Sequence, residues 1–226
     1  MGDLEAAAIR SAFRLLLPDG VAVSVGCIAG SSPTLDESER RATARMSPPR
    51  LREFAQGRAE ARAALGALGA PSGPVPIGAD RAPIWPPGYV GSISHAGDIA
   101  VAVAAARGQI AAIGVDLEPA VPLEPELLQR VCRPEELARL RAVPNPALHA
   151  KLIFSAKESV YKCIAPVLGL FLEFADLEIV FSGTGKGFHA VGHGPAQRHV
   201  SAKTIEGAWS KAGGYLLTGA WQRRAR

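Results

Sequence analysis

The chain has 226 residues, of which 48% are hydrophobic, so it can bury the core of one large domain or of two small halves. Its formal charge of +4 favours acidic or phosphorylated partners, but the basic residues are scattered and lie in no aromatic-rich stretch, which argues against nucleic-acid binding. The three cysteines stand far apart without a CxxC pair, which indicates neither a disulfide framework nor a zinc site and fits a reducing cytoplasm.

The first predicted element is an amphipathic helix over residues 4–17. Glu5, Arg10 and Arg14 interrupt its apolar pattern, so the segment is neither a signal peptide nor long enough to span a bilayer. We therefore expect no association with a membrane.

A strand is predicted over residues 21–27, where small and β-branched residues alternate. Thr34 and Glu37 then have the spacing of a capping box, which predicts a short charged helix that ends near Arg45.

A longer helix is predicted from Ser47, its N-cap, to Gly69, with Pro48 and Pro49 in its first turn. The helical period predicts one buried stripe, made of Leu51, Phe54, Ala61, Leu65 and Leu68.

A second face of this helix carries Arg50, Gly57 and Arg58, because seven or eight residues return a helix to nearly the same bearing. Two guanidinium groups suit a phosphate, and the glycine between them would let a ligand approach the backbone. The alternative is a solvated arginine face.

Residues 70–90 are rich in proline and glycine and are predicted to form a loop. The segments GSISH, IAVAVAA and QIAAIGVDLE follow, separated by short turns, and they predict a three-stranded meander.

The last of these strands ends with two acidic residues on one face. Side chains alternate along a strand, so Asp116 and Glu118 point to one side while Val115 and Leu117 point to the other. Two neighbouring carboxylates repel each other unless a cation lies between them, and their hard oxygen atoms suit magnesium or manganese. The alternative is a strand end that enters solvent before Pro119.

Two short helices are predicted within residues 122–143, and a long helix follows them. Asn145 is expected to cap the long helix, Pro146 to lie in its first turn and Pro166 to end it.

Residues three and four apart share a helical face, which places one polar stripe on the long helix, made of Lys151, Ser155, Glu158 and Lys162. The opposite positions are apolar, namely Leu152, Ala156, Val160 and Cys163. Glu158 therefore points to the same side of the helix as Lys151, Ser155 and Lys162. The alternative is an ordinary solvated Glu–Lys pair.

The remainder of the chain is predicted to be mostly sheet, with the strand-like segments DLEIVFS, GFHAVG, VSAKTIEGAW and GYLLTGAW. SGTGKG lacks the spacing of a Walker A phosphate loop and is expected to be a hairpin turn. His189, His193 and His199 are not assigned to a metal site.

Three motifs occur in order along the chain, and together they are specific: GSISH, GVDLE and FSAKESVYK. With the helix FAQGRAEARAALGALG and the connector RAPIWPPG, they closely resemble the phosphopantetheinyl transferases of the Sfp and enterobactin-synthase type over roughly residues 45 to 180. The resemblance implies an α+β fold, a single-chain pseudo-dimer of two similar halves. We divide these as residues 1–108 and 109–226.

The activity that this resemblance implies is transfer of the 4′-phosphopantetheine arm of coenzyme A to a serine of an apo acyl or peptidyl carrier protein, with release of adenosine 3′,5′-bisphosphate. Such enzymes serve polyketide, nonribosomal peptide or siderophore biosynthesis, and we expect a cytoplasmic monomer. Two other functions stay open, a magnesium-dependent hydrolase of a nucleotide pyrophosphate and a non-catalytic module that binds coenzyme A or a carrier protein.

The resemblance also implies roles for individual residues. Magnesium, or manganese in its place, would be held by Asp116, Glu118 and Glu158, and Glu158 is also the implied general base. Arg50 and Arg58 would bind the 3′-phosphate of the coenzyme, and Ser94 and His95 would contact the coenzyme near its phosphates. Lys157 and Lys162 would bind phosphate and steady the leaving group. Some relatives carry a lysine in the loop before the RxP element, whereas this loop offers Arg81 as its only cation, and the phosphate-binding role would fall to Arg81.

Overall fold

The computed structural model of the protein describes residues 2–28, 33–78, 81–169, 171–183, 185–200 and 205–224. Within these ranges the helices are α1 (Gly2–Leu16), α2 (Glu37–Arg40), α3 (Pro48–Ala67), α4 (Leu128–Val131), α5 (Pro134–Leu140) and α6 (Pro146–Leu168). The strands are β1 (Val21–Cys27), β2 (Tyr89–Ala96), β3 (Ile99–Ala106), β4 (Ile110–Pro119), β5 (Leu177–Phe181), β6 (Gly187–Gly192), β7 (Glu206–Ala212) and β8 (Tyr215–Arg223). The described part of the chain has no helix long and apolar enough to cross a membrane.

Two antiparallel sheets organise these elements, one of three strands in the order β1-β3-β2 and one of five in the order β4-β8-β7-β6-β5. The long helix α3 packs on the first sheet and the long helix α6 packs on the second. Apolar side chains of α1, β3, β4 and β8 form a further core that joins the two sheets. The predicted α+β fold of two similar halves is confirmed.

The predicted meander is wrong in its third strand. β2 and β3 pair as a hairpin, but β4 leaves them and pairs with β8, where Asp116 lies opposite Thr218. Both edges of β3 are already taken, one by β1 and one by β2, so β3 has no edge left for β4. β4 is therefore a strand of the second sheet, held against β2 by side chains.

The cap of α2 also differs from the prediction. Asp36, not Thr34, is the N-cap: its Oδ1 accepts a hydrogen bond from the Ser38 amide at 2.9 Å, and Glu39 Oε2 accepts one from the Asp36 amide at 3.0 Å. The capping box begins two residues later than predicted because its glutamate is Glu39, which is buried. Ser47 is the N-cap residue of α3 as predicted, although its side chain makes no capping bond.

The buried stripe of α3 is confirmed in part. Phe54, Ala61 and Leu65 are buried, whereas Leu51 and Leu68 are half-buried.

Helix α6 begins as predicted and ends later. Asn145 Oδ1 accepts a hydrogen bond from the Leu148 amide at 3.2 Å. Pro166 lies inside the helix, which continues to Leu168. A proline this close to the end removes only one backbone hydrogen bond, and the helix stops where Gly169 adopts the left-handed conformation with φ of 61°.

The C-terminal sheet agrees with the prediction except at the start of one strand. β5 and β6 form an antiparallel hairpin across the SGTGKG segment. The strand predicted from Val200 begins at Glu206, and residues 201–204 lie outside the described part of the chain.

Each half contains an ion pair between a fully buried glutamate of a short helix and a basic residue of the long helix. We call each of these two ion pairs, with its backbone hydrogen bonds, a lock. In the first half, Glu39 of α2 is fully buried and binds Arg62 of α3 at 2.7 Å and the Val75 amide at 2.9 Å. Arg62 also donates to the carbonyl oxygen of Thr34 at 3.0 Å.

In the second half, Glu136 of α5 is fully buried and binds Lys157 of α6 and the Ile179 amide, both at 2.7 Å. Lys157 also donates to the carbonyl oxygen of Val131 at 2.7 Å. The two halves therefore repeat one arrangement of a glutamate, a basic residue, a backbone amide and a carbonyl oxygen.

Candidate active site

Asp116 is the centre of the site, which lies between β4 and α6. Its side chain is buried, and both carboxylate oxygens accept hydrogen bonds: Ser94 donates to Oδ1 at 3.0 Å and Ser155 to Oδ2 at 2.9 Å. Lys162 Nζ lies 2.6 Å from Oδ1 and also donates to Ser94 at 3.1 Å. A buried carboxylate with this many partners is held in one orientation.

The alternation of β4 explains how the chain presents this carboxylate. Val115 and Leu117 point into the core with no exposed surface, as predicted, and Asp116 and Glu118 point towards α6. Gly114 allows the helix to lie close, since a Cβ at this position would collide with the carbonyl oxygen of Ser159. The glycine therefore brings the polar stripe of α6 against the acidic end of β4.

Glu118 forms an ion pair with Lys151, which belongs to the same polar stripe. Burial raises the pKa of Glu118, the hydrogen bond from Lys151 lowers it, and the charge of Asp116 raises it. The stripe thus supplies one lysine to each of the two strand carboxylates.

Glu158 lies between these two ion pairs. Burial raises the pKa of its carboxyl group, the charge of Lys162 lowers it, and those of Asp116 and Glu118 raise it further. Among the described residues, no hydrogen bond or ion pair engages its carboxylate. Glu158 is therefore a half-buried carboxylate that favours its protonated form more than an exposed glutamate does.

The donor set fits a divalent cation, although the side chains do not converge on one. Within the described ranges, no three His, Cys, Asp or Glu side chains are grouped as metal ligands. The charges of Asp116 and Glu118 nevertheless raise the pKa of Glu158, because like charges repel. Carboxylate oxygens are the ligands that magnesium and manganese prefer, and a cation among them would remove this repulsion.

Arg50 and His95 extend the site along β2. The Arg50 guanidinium contacts His95 Nε2 and binds Glu53 at 3.0 Å. The pKa of His95 is lowered by burial, raised by the charge of Glu53, and lowered by the charges of Arg50 and Lys162. Arg50, His95, Ser94 and Lys162 therefore form one basic and polar edge beside Asp116.

Arg58 lies deeper than the sequence suggests. Its guanidinium stacks 4.3 Å from the centre of the Phe54 ring, its side chain is buried, and its Nε has no hydrogen-bond partner. Burial lowers the pKa of Arg58 to about 10, so it stays charged at neutral pH. A buried cation with an unpartnered donor remains a candidate for binding an anion.

The role predicted for Gly57 is wrong. Gly57 faces β2, and a Cβ at this position would meet the side chain of Ile93 at 2.9 Å. This glycine therefore serves the packing of α3 on its sheet and does not open the backbone to a ligand.

The phosphate-binding role predicted for Lys157 has no support from its contacts. Lys157 is fully buried, and its ammonium group donates to Glu136, to the Val131 carbonyl oxygen and, at 2.9 Å, to that of Phe174. All three of its protons are used. Burial lowers the pKa of Lys157, and the charge of Glu136 opposes that shift.

Arg81 stays a prediction without support from geometry. It has a positive φ of 68°, its amide donates to the Gly78 carbonyl oxygen at 2.9 Å, and no described contact joins its side chain to the site.

A cavity of about 520 Å³ opens beside Glu158. Its lining combines aromatic and aliphatic groups with a few polar ones, including Arg130, Glu158, Tyr161, Phe171, Leu172 and Phe174. The rings of Tyr161 and Phe171 meet edge to face at 6.4 Å, and Phe171 is 80% exposed at the mouth. Sequence reasoning missed this cavity, and the only signal for it was Tyr161, one helical turn after Glu158.

Ser155 and Thr218 are further site residues that received no role from the sequence. Ser155 Oγ lies 2.9 Å from Thr218 Oγ1, and Thr218 in turn donates to the Ser155 carbonyl oxygen at 2.9 Å. The membership of Ser155 in the polar stripe was its one sequence signal. Thr218 had none, because its pairing with Asp116 depends on the sheet.

Two family models match this chain. Residues 38–105 match the model of the 4′-phosphopantetheinyl transferase N-terminal domain, and residues 112–218 match the model of the 4′-phosphopantetheinyl transferase superfamily.

Curated relatives of the chain have the same description. The 4′-phosphopantetheinyl transferase Svp of Streptomyces mobaraensis is 40% identical over 181 residues, which cover 77% of this chain and 73% of Svp. Npt of Nocardia iowensis is 34% identical over 80% of this chain and 86% of its own length, and PptT of Mycobacterium tuberculosis is 32% identical over 77% and 80%.

Proposed function

Because this chain belongs to the 4′-phosphopantetheinyl transferase superfamily, we propose a course, residue by residue, for the reaction that it catalyses. The enzyme transfers the phosphopantetheine arm of coenzyme A to a serine of a carrier protein and releases adenosine 3′,5′-bisphosphate. The serine oxygen forms a bond to the phosphorus of the pantetheine phosphate, and the bond from that phosphorus to the bridging oxygen of the pyrophosphate breaks.

The basic edge binds the nucleotide end of the coenzyme. Arg50 contacts His95, on which the charge of Lys162 also acts, and Arg58 is buried on the same helix as Arg50 with an unpartnered donor. We assign the 3′-phosphate to Arg50 and Arg58, and the pyrophosphate to His95, Ser94 and Lys162. Arginine suits the first task because its planar guanidinium can donate two hydrogen bonds to one phosphate.

Asp116, Glu118 and Glu158 are the residues that would hold magnesium. The ion would supply positive charge to the pyrophosphate oxygens, on which negative charge grows as the bond breaks. Lys151 binds Glu118 and Lys162 binds Asp116, so two of the three carboxylates already have a fixed place in the site.

Glu158 is the proposed general base, and its environment is the observation that carries the proposal. Its carboxylate is half-buried, is engaged by no described partner, and has a pKa raised by burial, so it accepts a proton more readily than a surface glutamate does. It removes the proton from the carrier serine. Lys162, held by Asp116 and Ser94, donates to the oxygen of the departing nucleotide.

The cavity beside Glu158 is the proposed site of the pantetheine arm. The arm is a flexible chain with two amide groups and a terminal thiol, and it suits a lining that is mostly apolar with a few polar groups. With the arm in this cavity and the nucleotide on the basic edge, the reacting phosphorus lies at Glu158.

The partner is an apo acyl or peptidyl carrier protein in this proposal, and no particular one is singled out. We also propose that the enzyme acts as a monomer, because one chain supplies both halves of the site, and that it works in the cytoplasm, where its three unpaired cysteines would stay reduced.

Incubation with magnesium, coenzyme A and an apo carrier protein tests this function directly. Whole-protein mass spectrometry should show the arm on the carrier serine, with an equal amount of adenosine 3′,5′-bisphosphate released. Glu158→Gln should slow transfer by about 10²- to 10⁴-fold while coenzyme A still binds, and Glu135→Gln, an exposed change on α5, should have no effect.

Two other outcomes would each point to one of the remaining functions. Release of nucleotide without a carrier protein would indicate a hydrolase. Binding of coenzyme A without modification of any of several acyl and peptidyl carriers would indicate a binding module.

A further inference from the structure

Glu136 is buried behind the cavity and is engaged on all sides. It accepts hydrogen bonds from Lys157 Nζ at 2.7 Å, from the Ile179 amide at 2.7 Å and from the Arg133 amide at 2.8 Å. These partners belong to α6, to β5 and to the start of α5. One carboxylate therefore joins three elements of the second half.

Lys157 extends this connection to the walls of the cavity. Its ammonium group also donates to the carbonyl oxygens of Val131, at the end of α4, and Phe174, in the turn before β5. The cavity is lined by Arg130 and Phe174, which lie at these two points, and by Lys157 itself. The ion pair thus fixes the distance between α6 and the two backbone segments that face it across the cavity.

In the equivalent pair of the first half, Glu39 is fully buried like Glu136 and has the same kinds of partner, whereas Arg62 is partly exposed. It holds α3, which carries Arg50 and Arg58. The two locks therefore brace opposite ends of the proposed coenzyme site: one braces the helix of the nucleotide end and the other braces the walls around the pantetheine arm.

We propose that Glu136 is a positioning residue for the transfer reaction, because it holds Lys157 and the cavity walls in the geometry that receives the pantetheine arm. This inference rests on the proposed function, in which the arm occupies the cavity and the nucleotide lies on the basic edge. Glu136 itself touches neither substrate nor reacting atoms.

Two ligands separate positioning from general stability. Coenzyme A carries the arm, whereas adenosine 3′,5′-bisphosphate does not. In titration calorimetry with magnesium present, Glu136→Gln should raise the dissociation constant for coenzyme A about tenfold and leave that for adenosine 3′,5′-bisphosphate unchanged. A purely structural role would weaken both ligands equally.

Glu39→Gln is the matched control, since it makes the same change in the other lock. It should leave the ratio of the two dissociation constants at the wild-type value, because it lies behind the helix of the nucleotide end. An equal change of the ratio in both variants would overturn the proposal, and so would an unchanged ratio in folded Glu136→Gln.

A second variant keeps the test decisive if Glu136→Gln does not fold. The double variant Glu136→Gln with Lys157→Met leaves no unpaired buried charge, yet it still removes the bonds to Val131 and Phe174. It should show the same selective loss of coenzyme A affinity. If the wild-type protein modifies a carrier but both variants keep the wild-type ratio of dissociation constants, this inference alone is wrong. If the wild-type protein modifies no carrier, the proposed function is wrong.

Discussion

Lys162 Nζ lies 2.6 Å from Asp116 Oδ1, and this contact brings the polar stripe of α6 onto the acidic face of β4. The lysine neutralises a carboxylate that would otherwise be buried beside two others. It also lies where the proposed leaving group departs. The same ammonium therefore has a part in holding the site and a part in the reaction.

Lys162→Ala should separate these two parts. Loss of the positive charge leaves three carboxylates with less compensation, so manganese binding, followed by electron paramagnetic resonance, should become tighter. Transfer should slow by about 10- to 100-fold without being abolished, because one charge-assisted hydrogen bond of roughly 1.5–3 kcal/mol is lost. Lys151→Ala, which removes the partner of Glu118, should tighten manganese binding in the same way with a smaller effect on the rate. Weaker manganese binding in Lys162→Ala would contradict the assignment of these carboxylates.

Asp116→Ala should destabilise the fold as well as stop transfer. Mutual repulsion of the carboxylates suggests that their removal is harmless, but Asp116 accepts hydrogen bonds from Ser94 and Ser155, and the variant leaves both hydroxyl groups buried without this acceptor. We expect the free energy of unfolding in urea to fall by about 1–3 kcal/mol. Asp116→Asn, which keeps an acceptor oxygen, should lose transfer with a smaller loss of stability. Equal stability of the two variants would show that these hydrogen bonds contribute little.

Arg50 and Arg58 should read the 3′-phosphate that distinguishes coenzyme A from dephospho-coenzyme A. Wild-type enzyme should prefer coenzyme A, and either substitution to alanine should lose about tenfold to a hundredfold of that preference, measured as the ratio of kcat/KM for the two substrates. Arg45→Ala, an exposed change near the same helix, is the control. If Arg58→Ala prefers coenzyme A as strongly as wild type does, Arg58 does not bind the 3′-phosphate and only packs against Phe54.

Cys163 should make the protein less stable at alkaline pH. Burial raises the pKa of this thiol from 9.0 to about 12, so the folded state favours the protonated form. Its contribution is fully present below pH 9 and is lost as the pH rises towards 12. The difference in free energy of unfolding between wild type and Cys163→Ala should therefore narrow as the pH rises from 9.0 to about 12. A constant difference across this range would mean that the thiol is not shielded from water.

Local periodicity was enough to find the carboxylates. The alternation of β4 separated Asp116 from Val115, and the helical period put Ser155 and Lys162 on one face of α6. Both patterns depend only on neighbours in sequence. The predicted directions of these side chains are therefore correct even though the sequence assigned β4 to the wrong sheet.

What periodicity could not supply was the identity of the partner across the fold. Lys157 directly precedes Glu158, and nothing in the sequence shows that Glu136 lies on the other side of the helix to take its charge. The repeat of the two locks was hidden for a related reason. The two locks have only the glutamate in common, because the basic residue is an arginine in the first half and a lysine in the second.

The equivalence of Arg62 and Lys157 has a consequence for stoichiometry. The residue after Lys157 is Glu158, and the residue after Arg62 is Ala63, which has no group to take a proton or bind a cation. Both halves thus contain the buried ion pair, but only the second half has a carboxylate next to it. In the proposed reaction, each polypeptide therefore has one active site, and its first half binds the nucleotide.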